Sequence, residues 1–216
     1  MKRKWIIFLS LQILLIAWIA VMWFFMPVSD KEIMYPSMTG IIDGSHYANG
    51  SIYAIEKERI IIVSTAHLLT RGNGVTVTFF DGTSLPGRVV YFSSEHDVGF
   101  VEVSKEQITK EALEKLKPVR RRFPLSFIRE GDTMQYAVFH EDHTFRCIQG
   151  TVGNPSFYVE EFKDFLIYNY CEAYPGMSGC GMFDQKGHYC GMLIGGYDNE
   201  SAALSVELIE QLYKKL

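Results

Sequence analysis

The 216-residue chain has no excess of positive charge: 21 basic side chains face 25 acidic ones, a formal net charge of −4. That excludes a strongly basic nucleic-acid binder. Repeats and low-complexity tracts are absent. There are only four cysteines, all in the second half (Cys147, Cys171, Cys180, Cys190), and no pair has the spacing of a zinc finger. Four cysteines allow three disulfide pairings, and sequence does not choose among them. The first 26 residues contain no acidic residue, and Trp5–Met26 carries no charge at all. Tryptophan is scarce, and all three (Trp5, Trp18, Trp23) lie in that stretch.

What is there begins with that stretch. The chain is 48% apolar, too much for intrinsic disorder, but unevenly so. Between Trp5 and Met26 only Ser10 and Gln12 are polar. A bilayer core of about 30 Å needs roughly 20 apolar residues in helix, and this run supplies them. Lys2, Arg3 and Lys4 precede it, which predicts a cytoplasmic N-terminus with the rest of the chain outside. The rival is a cleaved signal peptide. Its apolar region would be shorter and end in small residues, whereas this run ends Trp-Phe-Phe-Met-Pro. The prediction is one transmembrane anchor over 1–27, a stem over 28–44, and a soluble domain over 45–216.

The soluble part is acidic and reads as short strands. Ile52–Ile55, Arg59–Ser64, Gly74–Phe80, Arg88–Phe92 and Val98–Val103 are β-rich runs broken by turn residues, as in an all-β sandwich or barrel. Ser104–Lys117 is helix-like and stops at Pro118. Further strands are expected at Met134–Phe139, Thr144–Ile148, Phe157–Val159, Phe165–Tyr170, Gly181–Phe183 and Cys190–Ile194. Val206, Ile209, Leu212 and Tyr213 then recur at helical spacing over Ser205–Leu216.

Three places join reactive residues to tight local context. His67 follows the apolar run Ile61-Ile62-Val63. Asp97 opens the strand Val98–Val103. Ser178 sits in the glycine-rich loop Pro175-Gly176-Met177-Ser178-Gly179-Cys180-Gly181. Each alone reads as a packed histidine, a strand-end acid and a turn. Together they carry a chemistry. A serine hydroxyl needs a base to become a nucleophile, a histidine supplies it, and a buried aspartate fixes the histidine's tautomer. Glycines beside the serine let backbone N–H groups converge on a developing oxyanion.

In this order the motifs resemble those of the trypsin-like (chymotrypsin-fold) serine peptidases, closest to the HtrA-type bacterial branch. Ser64-Thr65-Ala66-His67 is similar to the family's histidine motif, Asp97-Val98-Gly99-Phe100-Val101 to its aspartate motif, and Pro175–Gly181 to its serine loop. The likeness spans about residues 45–216. It implies two packed antiparallel β-barrels (about 45–104 and 123–204), a linker helix over 105–122 and a closing helix over 205–216. It further implies Ser178 as nucleophile, His67 as general base and acid, Asp97 as its orienter, and the Gly176 and Ser178 N–H groups as oxyanion hole. Glu172 matches the base of the primary pocket, where it would favour Lys or Arg, or else is a rim residue. Gly195, Gly196 and Tyr197 match the strand that pairs with substrate backbone, with Tyr197 alternatively a packing residue. The substrate is a protein or peptide, and no metal or cofactor is implied.

The departures are Met177 in place of Asn or Asp, and Cys180 and Gly181 in place of Gly and Pro. Met177 cannot pair with a new N-terminus, and no Ile-Val-Gly-Gly cut site precedes His67, so activation by that route is not expected. Cys180 is a packed residue or half of a disulfide. The branch's usual peptide-binding PDZ domain is not expected after Leu216. A catalytically silent peptide-binding or sensor module on the same fold is the competing function. His140, His143 and Cys147 have loose metal-ligand spacing, but Glu141-Asp142 between the histidines favours a hairpin turn. His96 reads as a bystander beside Asp97.

Overall fold

A computed structural model describes residues 12–18, 30–69, 74–121 and 127–216. The predicted anchor falls mostly outside them. Residues 12–18 are helical and exposed, and among the described residues no helix is long and apolar enough to cross a membrane.

Among the described residues, twelve strands close into two six-stranded antiparallel barrels. The first holds β1 (Met38–Asp43), β2 (His46–Ile55), β3 (Arg59–Ser64), β4 (Gly74–Phe79), β5 (Ser84–Ser93) and β6 (Val98–Ser104), in the order β1-β2-β3-β6-β5-β4. The second holds β7 (Thr133–Phe139), β8 (Phe145–Val159), β9 (Asp164–Tyr170), β10 (Gly181–Asp184), β11 (Tyr189–Tyr197) and β12 (Glu200–Ser205), in the order β10-β11-β12-β9-β8-β7. Helix α1 (Asp30–Ile33) precedes the barrels, α2 (Lys110–Lys115) lies between them, and α3 (Val206–Tyr213) follows them.

Strands β3 and β6 show why the site sits where it does. Every residue from Ile60 to Val63 is buried. Ile60 and Ile62 fill barrel one beside Val101 and Val103 of β6. Ile61 and Val63 point the other way, with Val98 and Phe100, into a core shared with Phe183, Tyr189, Met192 and Leu204 of barrel two. Alternate residues of a strand face opposite sides, so a strand apolar throughout has both faces covered. Each fully buried side chain of this size contributes about 1.5–3 kcal/mol. The two strands pair along their length, Arg59 with Ser104 through Ser64 with Gly99, so the segment after β3 and the segment before β6 meet at the cleft.

Three boundaries differ from expectation. Barrel one starts at Met38, inside the segment read as stem, because Met38 and Ile41 are buried and β1 closes the barrel against β2 and β4. The linker is not one helix. It holds a short 3-10 turn (Lys105–Gln107) and the six-residue α2, whose first turn Thr109 caps. The strands expected at Thr144–Ile148 and Phe157–Val159 are one, β8, which runs past Pro155 by shifting register twice against β9. Helix α3 starts at Val206 because Ser205 caps it, its Oγ accepting from Leu208 N at 3.2 Å.

Candidate active site

Two contacts join His67 to Asp97, and a third joins Asp97 to the neighbouring Ala66. Asp97 Oδ2 lies 2.7 Å from His67 Nδ1, Asp97 Oδ1 accepts from His67 N at 2.8 Å, and the Asp97 carbonyl accepts from Ala66 N at 3.2 Å. Asp97 adopts a φ of 51°, in the left-handed region that aspartate tolerates better than most residues. The carboxylate is buried, and its hydrogen bonds to His67 make that burial tolerable. The Asp97 hydrogen bond holds His67 above the ordinary imidazole value, against the opposing pull of its half-buried setting. With Nδ1–H committed to the carboxylate, Nε2 carries the lone pair, the tautomer a general base needs.

Ser178 enters from barrel two on a loop built of turns. Met177 N donates to Tyr174 O at 3.2 Å across Pro175-Gly176, and Gly176 has a φ of +95°. Proline then a positive-φ glycine is the type II pattern. Met177 is buried in barrel two's core beside Cys180 and Met182, so an apolar anchor replaces the family's polar residue there. Gly179 N donates to Leu193 O at 2.8 Å. Gly179 also has a positive φ, and a Cβ there would come within 1.9 Å of Asn49 O, so only glycine fits. Among the described residues the N–H groups of Gly176 and Ser178 donate to no backbone acceptor. The Ser178 hydroxyl reaches Ile194 O at 3.5 Å, and among the described residues it makes no hydrogen bond with His67.

The other expected residues are placed as follows. Glu172 is exposed and pairs with Arg146, also exposed, at 3.2 Å. Arg146 in turn covers the Tyr174 ring. Ile194 lies where the β11–β12 register shifts, between Leu193 and Gly195. Among the described residues Gly195–Tyr197 pair with β12 and not with β10, whose pairing with β11 ends at Met192, which leaves the outer edge of this segment open. A cavity of about 400 Å³ lies over this segment and its β12 and β9 neighbours, lined by Phe162, Tyr168, Gly195, Tyr197, Glu200 and Ala202. Tyr197 is 80% exposed. His140 and His143 flank a turn closed by His140 N to Thr144 O. His96, read as a bystander, faces Asp164 of barrel two at 3.8 Å. None of the four cysteines forms a disulfide. Burial pushes the Cys171 thiol up to about 11, and Cys180, fully buried, well above its usual value, so neither is a nucleophile.

Asn49, on β2, escaped the sequence reading. It is fully buried and touches the serine loop at three points. It lies before Ile52–Ile55, the first run that reads as a strand, beside a glycine that reads as a turn, so its sequence context carries no strand signal.

The trypsin-like peptidase domain model matches residues 48–192, a segment holding His67, Asp97 and Ser178. The chain belongs to the trypsin-like peptidase family. As such it is a serine peptidase, a hydrolase. None of the curated proteins compared with this peptidase matches it. Among solved structures it is similar to an inactive-form serine-to-alanine mutant of Rv3671c from M. tuberculosis H37Rv, at 14% identity and a TM-score of 0.67, covering 84% of this chain and 86% of that one. It is similar to the inactive form of the Rv3671c protease at 15% identity and 0.67, covering 84% and 89%. The HtrA-type protease AlgW with a tripeptide matches at 14% identity and 0.71, covering 84% of this peptidase and 60% of AlgW. At these identities the likeness is one of fold.

Proposed function

We propose that this peptidase is a membrane-anchored, extracytoplasmic serine endopeptidase. The observation that carries the chemistry is the His67 Nδ1 to Asp97 contact at 2.7 Å, which leaves Nε2 as base. Ser178 Oγ attacks the scissile carbonyl while Nε2 takes its proton, and the Gly176 and Ser178 N–H groups hold the oxyanion. The tetrahedral species collapses, His67 returns the proton to the leaving amine, and the acyl group stays on Ser178. Water, deprotonated by the same Nε2, then releases the acid. The open edge at Gly195–Tyr197 supports an extended substrate added as a strand. The anchor and orientation rest on the uncharged Trp5–Met26 run behind Lys2, Arg3 and Lys4.

The second reading, a silent peptide-binding module, is favoured by one observation: Ser178 Oγ turns to Ile194 O, not to His67. Such a bond is commonly loose before substrate binds. A membrane-impermeant fluorophosphonate applied to intact cells separates the readings. The expected result is labelling from outside that Ser178→Ala abolishes. Labelling only after lysis overturns the orientation. A wild-type chain that binds peptides but takes no label in either case supports the silent module.

A further inference from the structure

Asn49 spends its whole amide on the junction between the barrels. Its Oδ1 accepts from Phe139 N at 2.7 Å, at the end of β7. Its Nδ2 donates to Gly176 O at 2.6 Å. One partner is a backbone donor and the other a backbone acceptor, so the amide has only one orientation that satisfies both. Its main chain is committed as well. Asn49 N donates to Ser178 O at 2.9 Å, and Asn49 O accepts from Ser64 Oγ at 2.6 Å, three residues before His67. The carbonyls of Gly176 and of Ser178, the two residues whose N–H groups the proposed mechanism uses, are thus both held by one residue of barrel one.

The physical need for such a hold lies in Gly176. Glycine enters left- and right-handed conformations with similar ease, so the Pro175-Gly176 turn has no side-chain barrier against flipping. A loop this free needs its peptides held from outside if the Gly176 and Ser178 N–H groups are to converge on one oxyanion. The peptide that follows Gly176 is pinned at both ends, its oxygen by Asn49 Nδ2 and its N–H by Tyr174 O. We infer that Asn49 is a positioning residue that holds Gly176 and Ser178 where their N–H groups serve one oxyanion, and so couples formation of the hole to docking of the two barrels. The inference rests on the serine peptidase reading of the site. Asn49 touches neither substrate nor the reacting atoms.

Asn49→Asp isolates the effect. The carboxylate keeps an acceptor for Phe139 N but opposes Gly176 O with a second oxygen. Saturation kinetics with a fluorophosphonate separate the limiting rate from reversible affinity. The expected result is a limiting rate per folded protein ~10- to 100-fold lower, somewhat less than the loss of a whole oxyanion donor, with affinity near wild type and a lower melting temperature, because the buried carboxylate has no cation beside it. A wild-type limiting rate overturns the inference, and so does a fall that only tracks loss of folded protein. Amide exchange supplies an arm independent of chemistry: the segment 171–180 should exchange faster in Asn49→Asp while the barrel strands do not. Unchanged exchange there overturns the positioning role. If the wild type takes no label yet exchange rises in the variant, the hold on Gly176 stands and the peptidase mechanism falls.

Discussion

Two histidine–aspartate pairs of nearly equal length stand in this molecule. His67 Nδ1 lies 2.7 Å from Asp97 Oδ2, and His188 Nδ1 lies 3.0 Å from Asp184 Oδ2. In both, the carboxylate is buried and also accepts from the backbone N–H of its own histidine. They differ in what they join. Asp184 and His188 are four residues apart in the β10–β11 hairpin, and Asp184 Oδ1 also takes Lys186 N at 2.9 Å. Although burial works against it, those N–H groups and His188 hold the Asp184 carboxyl below its usual value. That pair closes a turn. His67 and Asp97 are thirty residues apart, brought together by the β3–β6 ladder at the cleft where the Ser178 loop enters. A histidine–aspartate contact is therefore not a catalytic signature. Its neighbours decide its chemistry.

The comparison breaks most sharply at the histidines. His67→Ala should slow fluorophosphonate labelling by ~10⁴-fold or more, the scale for losing a triad base. His188→Ala should leave the rate near wild type. Equal losses at both sites would remove the distinction.

The aspartates sharpen it. Asp97→Asn should cost up to ~10⁴-fold in rate, because the amide favours the wrong His67 tautomer. The pH profile gives a second reading. His67 acts as base only when neutral, and Asp97 holds its pKa above the ordinary value of about 6.5, so the wild-type rate should rise through a midpoint above that value. Asp97→Asn should move the midpoint down. Asp184→Asn should do neither. It weakens the charged acceptor of the hairpin, at about 1–3 kcal/mol of stability, read as a lower melting temperature with the labelling rate intact.

The smallest effect belongs to Glu172. Its pair with Arg146 is half exposed on both sides, a setting worth about 0–1 kcal/mol. Glu172→Gln should leave both stability and the cleavage profile on a peptide library nearly unchanged. A lost preference for Lys or Arg would mark Glu172 as a pocket residue instead.

Much of the fold was legible because strand patterning is local. Ile60–Val63 and Val98–Val103 read as strands, and Val206, Ile209, Leu212 and Tyr213 as a helix, since burial imposes the strand and helix periods on the residues themselves. The beginning of barrel one was missed because Met38–Asp43 carries two glycine- and turn-like neighbours that resemble a stem, and only closure against β4 makes it a strand. The joining of two expected strands into β8 was missed because Pro155 reads as a stop, whereas a register shift against β9 accommodates it.

For the site, sequence alone determined the chemical types and their order: a histidine after one apolar strand, an aspartate before another, a serine among glycines. Those features reside in side chains and backbone freedom that each residue carries wherever it lies. Only the tertiary structure decided which histidine–aspartate pair faces the cleft, that Glu172 meets Arg146 at the surface, and that Asn49 spans from β2 to the serine loop 127 residues away. These depend on which strands become neighbours and on which buried polar atoms must find partners there. Both are settled by closure and docking of the two barrels, not by any local pattern.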